Sequence, residues 1–309
     1  MTKNLWVITG PTASGKTDLS LWLAARHDGE IVSADSMQLY RYMDIGTAKP
    51  TKEERAIAPH HLVNCIDPGE PFNAALYQPM ARKAIEDIAS REKQPILVGG
   101  TGLYVNSVVY PLTFTGAKED SAYREEMRAY ADKHGEQALY DRLKEKDPKA
   151  ADRLHPHDVK RVIRALEIVH LTGEGGGDYR KTTSGPPLFS ARMAGINMDR
   201  SRLYERIDRR VDMMVDAGLV EEVQSLLKRG CTPDMISMQG LGYKEIIAYL
   251  NGEYDLVEAI DTIKTRTRRF SKRQLTWFKR DAHIRWFDAD GTDRETMYHA
   301  ISNWLSQGE

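Results

Sequence analysis

Cysteine is nearly absent from this 309-residue chain, which has only Cys65 and Cys231. Two distant cysteines make neither a disulfide framework nor a zinc site, and they read as idle thiols in a reducing compartment. Net charge is missing too. Lys and Arg number 44 against 45 Asp and Glu, for a formal charge of −1. The molecule as a whole therefore does not look like a nucleic-acid binder, and charge has to be read by segment. No apolar run approaches the ~20 residues of a membrane helix. Met1 to Gly10 lacks a basic stretch followed by a long apolar one. The expectation is a cytoplasmic protein with no membrane partner. No internal repeat is visible. His60-His61 and His155/His157 lack cysteine or acidic companions at a zinc spacing, so they are expected to be structural or surface residues. Met213-Met214 reads as core filling on a helix.

What is present is an ordinary globular mix, 41% apolar and 29% charged. Apolar runs at Leu5–Thr9, Glu30–Ala34 and Pro95–Val98 alternate with helical stretches at Gly15–His27 and Asn73–Arg91. This alternation predicts an α/β fold, a parallel sheet covered by helices on both faces. From about Phe114 the chain turns polar and helical, over Lys118–Lys146 and over His157–Leu171 with Asp158 as N-cap. Gly175-Gly176-Gly177 and Pro186-Pro187 mark a loop. Leu188–Met198 is a candidate return to the sheet. Further helices follow at Ser201–Ala217, Val220–Arg229, Tyr243–Leu250 and Asp255–Arg280. A strand at Ile284–Phe287 and a helix at Asp293–Trp304 close the chain. The parse is a core domain of residues 1–112 and 197–309, interrupted by a helical insertion of residues 113–196.

The strongest motif is Gly10-Pro11-Thr12-Ala13-Ser14-Gly15-Lys16-Thr17, which fits G-x-x-x-x-G-K-[ST]. Glycines let successive backbone N–H groups turn toward phosphate oxygens, and the following helix adds its positive N-terminus. Lys16 supplies a point cation, and the Thr17 hydroxyl is placed to ligate Mg²⁺. A strand before and a helix after make a chance glycine turn the weaker reading. The motif does not say what carries the phosphates.

Asp35 follows the second strand, and ligands of open α/β sheets lie beyond the carboxyl ends of strands. Asp35 is thus a candidate general base or metal support, with an Asx-turn as the bland alternative. Ser36 and Gln38 offer a hydroxyl and an amide suited to a base edge. Thr101, after the third strand, faces the same crevice or simply caps a helix. Lys264–Arg280 holds eight basic residues, Lys272 and Arg273 among them, and no acid. That is either a footprint for phosphate backbones or a solvated face. Lys160, Arg161 and Arg164 form a second basic group, and Arg200, Arg202, Arg206, Arg209 and Arg210 a third. One arginine of the third group could clamp a diphosphate.

Taken together, GPTASGKT (10–17), SADSMQLYRYMDIGTAKP (33–50) and LVGGTGLY (97–104) resemble the tRNA dimethylallyltransferases. The segments HPHDVKRVIRALEI (155–168), RSRLYERIDRRVDMMVDAGLVEEV (200–223), QGLGYKE (239–245) and TRRFSKRQLTWFKR (267–280) extend the resemblance over nearly the whole chain. It implies a P-loop NTPase-like core with a helical insertion, and it implies prenyl transfer. A dimethylallyl group moves from dimethylallyl diphosphate to the exocyclic amine of the adenosine 3′ of the tRNA anticodon, assisted by Mg²⁺. The P-loop, at Gly10, Thr12, Ala13, Ser14, Gly15, Lys16 and Thr17, then cradles diphosphate. By the same resemblance Asp35 is the base, Thr101 contacts the target and Arg206 neutralises diphosphate. Asp35, Ser36, Met37, Gln38, Arg124, Lys160, Arg161, Arg164 and Gly240, Gly242, Tyr243 and Lys244 fall on segments assigned to tRNA contact. Glu174 to Gly177 departs from the lysine-proline type sequence usual in relatives. The rival class is a P-loop nucleoside or small-molecule kinase, whose cradle would look the same and whose lid arginines the insertion could supply. The chain is expected to act as a monomer.

Overall fold

A computed structural model describes residues 4–114, 120–175, 185–253 and 255–307. Strands β1 (Trp6–Thr9), β2 (Gly29–Ser33), β3 (His60–His61), β4 (Gln94–Gly99), β5 (Arg192–Asn197) and β6 (Ile284–Asp288) form one parallel sheet in the order β3-β2-β4-β1-β5-β6. β1 pairs β4 with Trp6 opposite Ile96 and Thr9 opposite Gly99. All four residues of β1 are buried, as expected of a central strand covered on both faces. The fold is therefore the α/β architecture expected from the alternation of apolar runs.

The helices of this unit are α1 (Lys16–Arg26), α2 (Lys52–Ile57), α3 (Ala74–Ser90) and α4 (Gly102–Val109) in the first half. Trp6, Ile8, Leu19, Leu23, Ile31, Ile96, Ile196 and Ile301 pack into its main core. Asn73 opens α3 by accepting from the backbone N–H groups of Ala75 and Leu76, which satisfies two groups no helical carbonyl reaches.

A separate compact unit spans Leu112–Gly185 and contains α5 (Ser121–His134), α6 (Glu136–Lys146), α7 (Pro148–Ala151) and α8 (Val159–Thr172). Leu139, Leu143, Val162, Leu166 and Met127 form its own core. Within the stretch expected to be helical over Lys118–Lys146 there are two helices, separated at Gly135. Lys118, Gly176 and Gly177 lie outside the described residues.

The C-terminal boundary of the insertion is a correction. It falls near Pro186, not after residue 196, because Arg192–Asn197 is inserted into the sheet between β1 and β6. The remaining helices of the sheet unit are α9 (Arg200–Asp216), α10 (Leu219–Lys228), α11 (Tyr243–Leu250), α12 (Leu256–Phe278) and α13 (Arg294–Ser306). An Asp255/Glu258 capping box starts α12, each carboxylate accepting the other residue's N–H. No helix among the described residues is long and apolar enough to cross a membrane.

Candidate active site

β1 ends at Thr9, and the chain curls through 10–15 before α1 begins at Lys16. Gly15 caps that helix in the left-handed region, at φ 95°, where a side chain would be strained. The turn leaves the first N–H groups of α1 without helical carbonyls, so an anion finds both donors and a positive dipole there. Ser14 is 3% exposed, and its Oγ has no partner among the described residues. A buried unpaired hydroxyl is costly, which marks the position as one awaiting an acceptor. Lys16 Nζ meanwhile donates to the Pro11 carbonyl at 2.6 Å.

Two helices from the far end of the chain hold this loop. Gln274 of α12 accepts from Thr12 N at 2.8 Å, and its own amide donates to the Gly100 carbonyl at 2.9 Å. One buried amide thus ties the P-loop to the end of β4. Arg206 of α9 donates through Nε to the Ala13 carbonyl at 2.8 Å.

The loop opens onto a cleft of about 860 Å³ lined by Lys16, Thr17, Lys49, Arg206, Arg209 and Arg210, among others. A second cavity of about 100 Å³ shares Lys16, Thr17, Pro50 and Arg210 with it, and adds Asp35, Gln38, His60, Gly100 and Gln274. The two cavities adjoin at these shared residues, and the small one holds the P-loop residues Lys16 and Thr17 together with the Asp35 carboxylate. Burial and the neighbouring Arg210 charge push the Lys16 ammonium down to about 7, against the pull of Asp35. Burial likewise lowers Arg210, and Asp35 opposes it. The three charges therefore act as one cluster, two cations facing one anion.

Asp35 does form the turn-type contact: its Oδ1 accepts from Met37 N at 2.8 Å. The turn orients the carboxylate in the cavity, so the bland reading and the chemical one coexist. Thr101 sits at the N-cap of α4, yet makes no side-chain cap bond. Its Oγ1 instead accepts from Ser36 N at 3.0 Å, joining the ends of β2 and β4. The Met37 methyl packs against Gly240, which brings the QGLG segment to the same place. Gln38 has less freedom than its type suggests. Its amide oxygen accepts from Ser33 Oγ at 3.0 Å, and its nitrogen donates to the Ala48 carbonyl at 3.2 Å.

Several expected site residues are spent elsewhere. Tyr243 is fully buried and donates to Glu222 at 2.7 Å, and Gly242 is buried beside it, so of that segment Gly240 and Lys244 retain exposure. In the insertion, Arg124 and Arg164 both pair with the buried Glu167, at 2.9 and 2.6 Å, whereas Lys160 is exposed and Arg161 pairs with Asp158 at the surface. The long basic helix is not a uniform positive rod. Lys264, Arg266 and Arg268 pair with Asp212, Glu245 and Asp208 at 2.6, 2.6 and 2.7 Å. The exposed cations are Arg269, Lys272, Arg273, Lys279 and Arg280. Acids on neighbouring helices made the difference, and they were invisible in the segment itself.

Met213 and Met214 are not core filling. Met213 is 63% exposed, and both line the cleft. The helical period placed them correctly on α9 but did not reveal that this face borders a cleft. His60, expected to be structural or superficial, lines the small cavity, with Nδ1 2.8 Å from the Ala58 carbonyl. Gln274 was missed entirely; a lone amide inside a basic amphipathic helix is the only signal it left.

The fold and the loop define a P-loop α/β protein in which a strand-end carboxylate, Asp35, lines the same small cavity as Lys16 and Thr17. A family model described as IPP transferase matches residues 38–281, and one described as isopentenyl transferase matches residues 3–63. The chain belongs to the IPP transferase family. It is 48% identical over 301 residues to the tRNA dimethylallyltransferase of Alkaliphilus metalliredigens, covering 97% of this chain and 96% of that one. It is 50% identical over 287 residues to the tRNA dimethylallyltransferase of Caldanaerobacter subterraneus, covering 92% and 91%. The crystal structure of a tRNA isopentenylpyrophosphate transferase from Bacillus halodurans superposes with a TM-score of 0.74 at 46% identity, covering 99% and 96%. That of a eukaryotic dimethylallyltransferase acting on tRNA gives 0.81 at 31% identity, covering 97% and 79%.

Proposed function

We propose that this protein transfers a dimethylallyl group from dimethylallyl diphosphate to the exocyclic amine of the adenosine 3′ of the tRNA anticodon, acting as a cytoplasmic monomer. The observation that carries the reading is the Lys16–Arg210–Asp35 cluster at the P-loop. The cations suit a leaving diphosphate, and the carboxylate suits a proton released from nitrogen. In the reaction the amine nitrogen bonds to C1 of the prenyl group as the C1–O bond breaks. The electron pair leaves on diphosphate, and the amine proton passes to Asp35.

The P-loop N–H groups, Ser14 Oγ, Lys16 and Arg210 receive the departing charge. Arg206 braces the loop through Ala13 and stands at the cleft mouth, where its remaining guanidinium donors can reach phosphate. No group of three or more His, Cys, Asp or Glu among the described residues could hold a metal ion. Mg²⁺ keeps water and phosphate oxygens as ligands and needs few from protein. Thr17 would hold it. When bound, Mg²⁺ adds charge neutralisation on the diphosphate oxygens. The target base leaves the stack of a single-stranded loop to reach the cavity. In this reading Ser36, Met37 and Thr101, next to Asp35 at the ends of β2 and β4, contact the target nucleotide, and the exposed Lys272 and Arg273 contact the tRNA backbone.

The test offers purified protein unmodified tRNA with Mg²⁺ and either dimethylallyl diphosphate or ATP. Prenylated tRNA from the first donor is expected. Phosphate transfer from ATP with no prenylated product would establish the kinase reading instead.

A further inference from the structure

Residues 44–50 contribute Asp44, Ile45, Ala48, Lys49 and Pro50 to the lining of the large cleft, which they share with Lys16 and Arg210. This stretch is neither helix nor strand, so its backbone N–H groups need partners from outside. Three consecutive ones find the same side chain. Asp44 N and Ile45 N donate to Glu222 Oε2 at 2.8 and 2.7 Å, and Gly46 N donates to Glu222 Oε1 at 3.0 Å. The Tyr243 hydroxyl fills the remaining site on Oε1 at 2.7 Å. Successive N–H groups in a turn form a concave anion receptor, and here the protein's own carboxylate occupies it.

The grip is two-sided. A Cβ on Gly46 would lie 2.7 Å from the ring of Tyr243, so only glycine allows the loop to rest on that ring. On its far side the loop is held by Gln38 at the Ala48 carbonyl, 3.2 Å, and by Lys49 Nζ at the Tyr40 carbonyl, 2.7 Å. Glu222 lies on α10 and is not itself part of the cleft lining.

We infer that Glu222 is a positioning residue for the donor side of the reaction, holding the 44–50 wall in place against the cradle. The inference rests on the prenyl-transfer reading for its substrate and on the bond geometry for its mechanism. Each carboxylate oxygen of Glu222 accepts two donors. Glutamine has the same shape but presents N–H groups to one pair of them, so Glu222→Gln breaks half the clamp without leaving a cavity.

The experiment compares wild type with Glu222→Gln in steady-state prenylation of tRNA, and in calorimetric binding of inorganic diphosphate. The expected result is a KM for dimethylallyl diphosphate raised about tenfold, with kcat and the KM for tRNA near wild type. Inorganic diphosphate should bind about tenfold more weakly. A merely structural role would lower kcat through lost active protein and leave both KM values alone, and that pattern would overturn the inference. So would an unchanged diphosphate affinity. If Glu222→Gln does not fold, Gly46→Ala displaces the same loop from Tyr243 while keeping the carboxylate; an unchanged donor KM there also overturns it. Absence of prenylated product from wild type would sink the prenyl-transfer reading alone, since the diphosphate titration still decides whether the clamp shapes the cleft.

Discussion

Lys16 shows how a single group can report on its ligand. Burial and Arg210 bring its ammonium down to about 7 in the ligand-free protein. A bound diphosphate favours the charged form and raises that value. Below pH 7 Lys16 is charged in both states, and its contribution to binding is complete. As pH rises above 7 the free protein loses the proton and the bound one keeps it, so binding must take up a proton and the Lys16 contribution falls by up to about tenfold per pH unit. Calorimetry of diphosphate binding at pH 8, in buffers of different ionisation enthalpy, should record that uptake. Lys16→Met should abolish it. At Asp35 the expectation is different. In the proposed reaction the carboxylate takes the amine proton, and its Oδ1 makes a turn contact, so Asp35→Ala should cut kcat by about 10²–10⁴ while tRNA affinity stays near wild type. Filter binding with quantified product separates the two, and a fully active Asp35→Ala would remove it as base.

At the scale of elements, α12 carries two jobs on two faces. One face is buried and polar: Gln274 is 6% exposed and sutures the P-loop to the end of β4. At the edge between this face and the exposed one, Lys264 and Arg268 pair with acids of α9, which fixes the helix against the element that supplies Arg206 and Arg210. The other face exposes Arg269, Lys272 and Arg273 at helical spacing, and Lys279 and Arg280 follow just past the helix end. Exposed ion pairs contribute little to stability, so cations left exposed along one stripe speak for a ligand more than for folding. Replacing Lys272 and Arg273 with glutamine should weaken tRNA binding and lower the slope of log K against log salt by about one to two. Folding and diphosphate binding should be unaffected. A slope identical to wild type would make this stripe a plain solvated surface.

For the whole molecule, the legible part was whatever depends on neighbours in sequence. The parallel sheet followed from buried runs such as Trp6–Thr9 and Gln94–Gly99, whose burial demands covering helices. The cradle followed from Gly10 to Thr17, because a phosphate nest is built by consecutive N–H groups and needs no distant partner. Helix α11, Tyr243–Leu250, stands where its periodicity placed it. What could not be read depends on residues far apart in the chain. The charge of Lys264–Arg280 looked unbalanced because its acids, Asp208, Asp212 and Glu245, stand on other helices. Tyr243 looked available to a ligand because nothing local says that Gly46 and Glu222 close over it. Met213 looked like core because an apolar side chain carries no mark of the cleft it borders. The amino-acid order by itself determined the P-loop motif, the strand-end carboxylate and the family, since each is written in short contiguous strings. Only the tertiary structure decided which cations remain exposed, which polar side chains are already spent, and that Glu222 holds the wall of the donor cleft across 176 to 178 residues, because those are questions of pairing, and pairing is settled by folding.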